Sequence, residues 1–224
     1  MTLSLDNIIE RADTLYSKRE KIEKVKESVK LLQSIENDYE ALWRSCRAHF
    51  FLGQEAKSLE ESLKQYRAGT EAGKQIIRLK LKTGVEGYFW LGVNWALLAP
   101  LENKLKGLIN VYGARHCMKT ALKIDCTYHA AGPLRVLARL ESKLPFILGG
   151  RKKHAKKHYE QAIEIAPTNT VTRIYFAELL LELKKKAEAR KHLEIILQTE
   201  LDGVWDFEIK RDKKSAKNLL QKIK

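Results

Sequence analysis

The residues Cys126-x-x-His129, with His116-Cys117 upstream, carry the thiolate and imidazole groups that bind zinc. Adjacent His116 and Cys117 point in different directions on one helix, so the four groups do not share a side and no metal site is expected. All three cysteines, Cys46, Cys117 and Cys126, sit in or beside helical patterns and are expected to be free, buried thiols. The string Gly149-Gly150-Arg151-Lys152-Lys153 brings backbone N–H groups and positive charge together where a helix begins, which is anion-binding chemistry. It lacks the spacing and the Lys-Ser/Thr ending of a phosphate loop, and is read as a turn followed by a basic helix start. No Ser, His and Asp series with a nucleophile elbow and no paired-carboxylate site can be assembled. Neither catalytic residues nor a cofactor are expected, and the chain is read as a non-enzyme.

Arginines and aromatics offer binding chemistry instead. Arg135 and Arg139 lie one turn apart on a mostly apolar helix that opens with Gly132-Pro133, so both guanidinium groups can face one way. Arg44 and Arg47 repeat the theme, and Arg173 adds to it. Converging on a groove, they would grip a carboxylate or acidic peptide through bidentate hydrogen bonds; paired with glutamates between repeats, they would be structural. Tyr88, Phe89, Trp90 and Trp95 fall with Asn94 within two turns of one helix, so they cannot all face the same way. Some must enter the core, and the others would form an aromatic wall with an amide handle for an organic ligand or peptide. The candidate groove residues are therefore Arg44, Arg47, Phe89, Trp90, Asn94, Arg135, Arg139 and Arg173.

Such side chains need rigid elements to hold them. Among 224 residues, 44% are hydrophobic and 31% charged while only 4 are Pro and 12 Gly, a balance that favours helices over strands or disorder. A helix-turn-helix template of about 34 residues can be laid down repeatedly. Ile9, Ala12 and Tyr16 share one face after Asp6, which can cap the helix, and Val25, Val29 and Leu32 follow on a second helix. Trp43, Cys46 and Phe50 repeat that spacing one period later. Tyr88-x-x-Leu91-Gly92-x-x-Trp95 is the clearest copy, its Gly allowing two backbones to approach, with Ala114, Met118 and Ala121 on the partner helix. Ala155, Tyr159 and Ala162 precede a stop at Pro167 and a start at Asn169; Phe176, Ala177 and Leu180, then Ala189 and Leu193, complete the series.

The predicted architecture is a single all-α domain, residues 1–224, an α-solenoid of about five tetratricopeptide-like (TPR-like) repeats at 6–37, 38–82, 85–126, 127–167 and 168–200, with a C-terminal cap at 203–224. Longer helices or loops are expected at 54–66, 101–106 and 144–150. In the cap, residues 205–209 are read as an apolar plug and 215–223 as a final amphipathic helix. The uncharged stretch 87–101 is shorter than the roughly 20 residues of a membrane span and is read as a buried helix.

Several strings resemble the T component (TatT) associated with TRAP transporters: Ala12-Asp13-x-Leu15-Tyr16-x-x-Arg19, Tyr39-Glu40-Ala41-Leu42-Trp43-Arg44 and Trp90-Leu91-Gly92-Val93-Asn94. The most telling run is Gly132-Pro133-Leu134-Arg135-Val136-Leu137, continuing through Leu144-Pro145-x-x-Leu148-Gly149-Gly150 to Ala155-x-x-x-Tyr159-x-x-Ala162. The resemblance implies an all-helical solenoid whose interior holds a ligand, working beside a solute-binding protein to deliver solute to a membrane transporter.

The expected function is therefore a TPR binding or scaffold protein. Its expected partners are a protein, by the resemblance a solute-binding protein, and a small organic anion or hydrophobic ligand, with a homo-oligomer left open and membrane association only indirect. The net charge of +14 is spread along the chain, with clusters at Arg151-Lys152-Lys153, Lys184-Lys185-Lys186 and residues 210–224. It is read as solvated faces, so nucleic acid is disfavoured, and the alternative is a basic protein binding RNA or an anionic membrane surface. The first six residues show no basic segment followed by an apolar run. The chain is placed in the cytoplasm if Met1 is the native start, and by the resemblance in the periplasm or at the membrane if a leader was trimmed.

Overall fold

Side-chain caps mark where helices begin. In the computed structural model, which describes residues 4–79 and 84–223, Asp38, Ser58, Asn103 and Asn169 each accept a hydrogen bond from the backbone N–H three residues on. Ser4, rather than the expected Asp6, caps the first helix by accepting from Asn7 N. Residues 1–3 and 224, and the expected repeat boundary at 82, lie outside the described residues.

Eleven α-helices and no strand occur among the described residues: α1 (Leu5–Ser17), α2 (Ile22–Gln33), α3 (Tyr39–Gln54), α4 (Leu59–Arg78), α5 (Val85–Leu98), α6 (Lys104–Ile124), α7 (Tyr128–Lys143), α8 (Lys152–Ile165), α9 (Thr170–Glu182), α10 (Lys186–Gln198) and α11 (Asp206–Lys222). The chain divides into two compact units, Met1–Asp125 and Cys126–Lys224. In the first, the hairpins α1–α2, α3–α4 and α5–α6 pack in chain order, and α3 also touches α1 and α5. In the second, α7–α8 and α9–α10 are hairpins, α9 touches α7, and α11 closes over α9 and α10.

The repeat phase reappears as burial. Ala12 and Cys46, one period apart, are 1% and 0% exposed, and Ala114, Met118, Ala121, Ala155, Tyr159, Ala162, Ala177, Leu180, Ala189 and Leu193 are likewise enclosed. Small residues at these positions let helix axes approach. At Gly92 an added Cβ would collide with Met118 Cε and stand 2.8 Å from Cys117 Cβ, so α5 and α6 meet there with no space to spare.

Two expectations are corrected. Cys126 is exposed, because it lies in the turn after α6 and not on a packed helical face; Cys46 and Cys117 are buried. Residues 206–209 are no separate plug but the first turn of the continuous helix α11, in which Ile209 and Ala216 are buried together. Of the longer helices or loops expected at 54–66, residues 59–66 are the former, the opening of the 20-residue α4. The remaining irregular stretches shorten to 3₁₀ turns at Ala99–Leu101, where Pro100 stops α5, and Phe146–Leu148. No helix of the described residues is long and apolar enough to cross a membrane.

Candidate functional site

A cleft in the first unit opens between α4 and α6. On α4, Arg67, Thr70, Glu71 and Lys74 follow the i, i+3, i+4, i+7 spacing and present one face. Lys106, Ile109 and Asn110 face them from the first turns of α6, and Leu98 and Glu102 close one end. The geometry depends on Pro100 and on Asn103, which ends one helix and caps the next; Gly107 rides so close to Ala99 O that a Cβ would stand 2.6 Å from it. The cleft encloses about 360 Å³, room for a small organic molecule.

Its electrostatics are set by pairs. Arg67 Nε donates to Glu102 Oε1 at 2.8 Å, and this bond holds the Glu102 carboxyl below the usual carboxylate range. Lys74 Nζ binds Glu71 at 2.9 Å and lowers that carboxyl in the same way, with Arg78 assisting. Both carboxylates are thus engaged, and neither is a free general base. Lys106 also lowers the Glu102 carboxyl through its charge but makes no close ion pair among the described residues, and with Arg67 and Lys74 it leaves the cleft one cation beyond its two acids, Glu71 and Glu102. Thr70 is 2% exposed and its Oγ1 has no hydrogen-bond partner among the described residues, an orphan that costs free energy until a ligand or solvent serves it. Apolar Leu98 and Ile109 beside these groups suit a molecule with an anionic head and a carbon frame.

The predicted groove residues do not gather at one place. Arg44 and Arg47 do converge on a carboxylate, but it belongs to the protein: Arg44 Nε donates to Asp13 Oδ2 at 2.9 Å and Arg47 Nη2 to Asp13 Oδ1 at 2.6 Å, tying α3 to α1. The two guanidinium groups lie 4.2 Å from the Trp43 ring centre and 3.9 Å from that of Tyr16. Phe89 and Trp90 are core residues, each 2% exposed and packed edge to face. Asn94 is fully buried; its amide donates to Cys46 O and Trp90 O, and its carboxamide oxygen sits against Gly69, so it locks α5 to α3 and α4.

In the second unit, Arg139 pairs with Glu178 on the next repeat and stacks over Tyr175. Arg173 donates to Pro167 O and to His192 Nδ1, which burial and the Arg173 charge keep neutral by pushing its pKa down to about 4. Arg135 does not accompany Arg139. Enclosed at 5% exposure, it reaches back to Ala130 O at 3.0 Å, His129 O at 3.3 Å and His129 Nδ1 at 3.1 Å. Burial lowers its pKa to about 10. Those carbonyls belong to a left-handed turn, with His129, Ala130 and Ala131 at φ 52, 55 and 55°; the right-handed part of α7 runs from Gly132. Arg135 therefore braces a strained chain reversal.

The Gly149-Gly150 string is a closed turn: Gly149 N donates to Phe146 O, Gly150 N to Pro145 O and Arg151 N to Glu141 O. Those donors are spent internally. Among the described residues no three His, Cys, Asp or Glu side chains cluster as metal ligands, and burial pushes the Cys117 thiol up to about 12. The cleft was not among the sequence expectations, because its residues lie on two helices, α4 and α6; the helical spacing of Arg67, Thr70 and Lys74 was the available signal.

A family model described as the TRAP transporter T-component matches residues 36–224. The fold is also that of the crystal structure of a thermophilic TPR protein from Thermus thermophilus, with a TM-score of 0.70 at 18% identity over 95% of this chain and 98% of that one. At that identity the likeness shows the fold alone, the TPR-like α-solenoid class. No curated protein matches the sequence.

Proposed function

We propose, from the premise that this chain belongs to the TRAP transporter T-component family, that it is a non-catalytic binding protein assisting TRAP-type solute uptake. In this reading it holds a small organic anion in the α4–α6 cleft and engages a solute-binding protein, on the periplasmic side of the membrane that carries the transporter. The observation that supports it most directly is the orphaned Thr70 Oγ1 in a cleft where the cations Arg67, Lys74 and Lys106 face only the carboxylates of Glu71 and Glu102. A ligand carboxylate would meet Lys106, its hydroxyl or amide would serve Thr70, and its carbon frame would lie on Leu98 and Ile109.

Calorimetric titration with succinate and octanoate, as polar and apolar organic anions, tests the ligand half. Binding of either should weaken about tenfold or more in Lys106→Glu and in Thr70→Val. Binding that both variants leave intact would remove the cleft from the function. Surface plasmon resonance against a purified TRAP solute-binding protein tests the partner half, and the absence of any saturable signal at micromolar concentrations would leave the chain without that role.

A further inference from the structure

One turn of the second unit carries apolar groups that packing does not explain. Phe146 is 69% and Ile147 86% exposed, and Ile147 is the most exposed large apolar side chain of the described residues. This is not a frayed loop. Leu148 N and Gly150 N both donate to Pro145 O, Gly149 N donates to Phe146 O, and Arg151 N reaches Glu141 O at 2.9 Å. Gly150 lies so close to Leu144 O that no side chain would fit there. The backbone is fastened on both sides, and it holds two adjacent apolar side chains out into water.

Cations follow this tip along the chain. The Arg151 guanidinium sits 4.2 Å from the Phe146 ring centre, and α8 starts one residue later with Lys152, Lys153, Lys156 and Lys157 and no acid in its first turn. Lys143 and Lys152 share Glu182, and Lys156 pairs with Glu160. Arg151, Lys153 and Lys157 have no carboxylate partner among the described residues, and all three are exposed. An exposed apolar tip followed by unbalanced cations matches the boundary where lipid acyl chains meet anionic headgroups. RNA would use the cations but gain nothing from Ile147.

We infer that the 144–157 segment is a docking tip for an anionic lipid surface: Phe146 and Ile147 enter the headgroup–acyl boundary while Arg151, Lys153 and Lys157 meet lipid phosphates. This surface is independent of the α4–α6 cleft, and neither reading depends on the other.

Flotation of the full chain with vesicles tests it, using phosphatidylcholine alone and phosphatidylcholine with about one third phosphatidylglycerol. The chain should float with the anionic vesicles only. Phe146→Ser/Ile147→Ser should lower that partitioning about tenfold or more, whereas Phe146→Leu/Ile147→Leu should retain it, since only apolar surface is required. Lys153→Glu/Lys157→Glu should lower it too and flatten its salt dependence. Failure of the natural chain to float with anionic vesicles would overturn the inference, as would equal flotation of the serine pair, which would reduce the effect to charge. Heparin has no acyl chains, so its retention of the serine pair should match that of the natural chain; a parallel loss there would also overturn it.

Discussion

Several charged residues in this chain bind inward. Asp13 takes both Arg44 and Arg47, and Asp212, 2% exposed, accepts from Thr170 Oγ1 at 2.8 Å while Arg211 lies against its other oxygen. The same inward use makes His192 a pH-sensitive residue. Burial first, and the neighbouring Arg173 charge second, move its pKa from the ordinary 6.5 to about 4. The folded protein thus resists a proton that the unfolded chain accepts, so the contribution of His192 is complete above about pH 6.5 and is lost as pH falls toward 4, amounting to about 2–3 kcal/mol. His49, also buried, is shifted in the same direction. Denaturant titrations between these pH values should show the decline, and His192→Gln should flatten it by more than half. An unchanged slope in that variant would place the titration elsewhere.

At the scale of elements, caps and small residues decide where helices start and how closely they pack, but the start of α7 follows another rule. Three consecutive non-glycine residues in left-handed conformation cost about 1–2 kcal/mol each. They persist because a buried guanidinium donates to the carbonyls of His129 and Ala130, with Asn169, the cap of α9, and Thr172 of α9 in the same network. Removing Arg135 takes a charged donor away from those carbonyls. Arg135→Ala is expected to destabilise the protein by about 2–4 kcal/mol in chemical denaturation, and Arg135→Lys to recover less than half, because one ammonium cannot match the planar fork. A loss below about 0.5 kcal/mol would show that the turn holds itself. Ligand binding in the α4–α6 cleft should be unaffected.

For the molecule as a whole, the contact pattern separates Met1–Asp125 from Cys126–Lys224, while the family match runs without a break from 36 to 224. That continuity supports the proposal that residues 1–224 behave as one domain, since stacked repeats unfold together when their nearest-neighbour terms are strong. Scanning calorimetry of the full chain should then give a single transition with matching calorimetric and van't Hoff enthalpies. Two separable transitions would replace the single domain with two.

The helical class, the repeat phase and the family were legible in the sequence, because burial at a repeating position demands small or apolar residues and leaves a periodic trace: Ala12 and Cys46, or Ala155, Tyr159 and Ala162, could be picked out without coordinates. Gly92 was legible for the same reason. The partner of each arginine was not. A guanidinium on a long, flexible stem reaches a sphere of candidates, and whether Arg44 meets a ligand or Asp13 depends on which helix the fold brings alongside. The cleft was hidden in the same way, since Thr70 lies on α4 and Lys106 on α6, and their common space exists only once Pro100 and Asn103 have turned the chain between α5 and α6. Periodicity along a helix is a local property that sequence records; the meeting of two helices is set by the packing of all the side chains between them, and tertiary structure alone decided it.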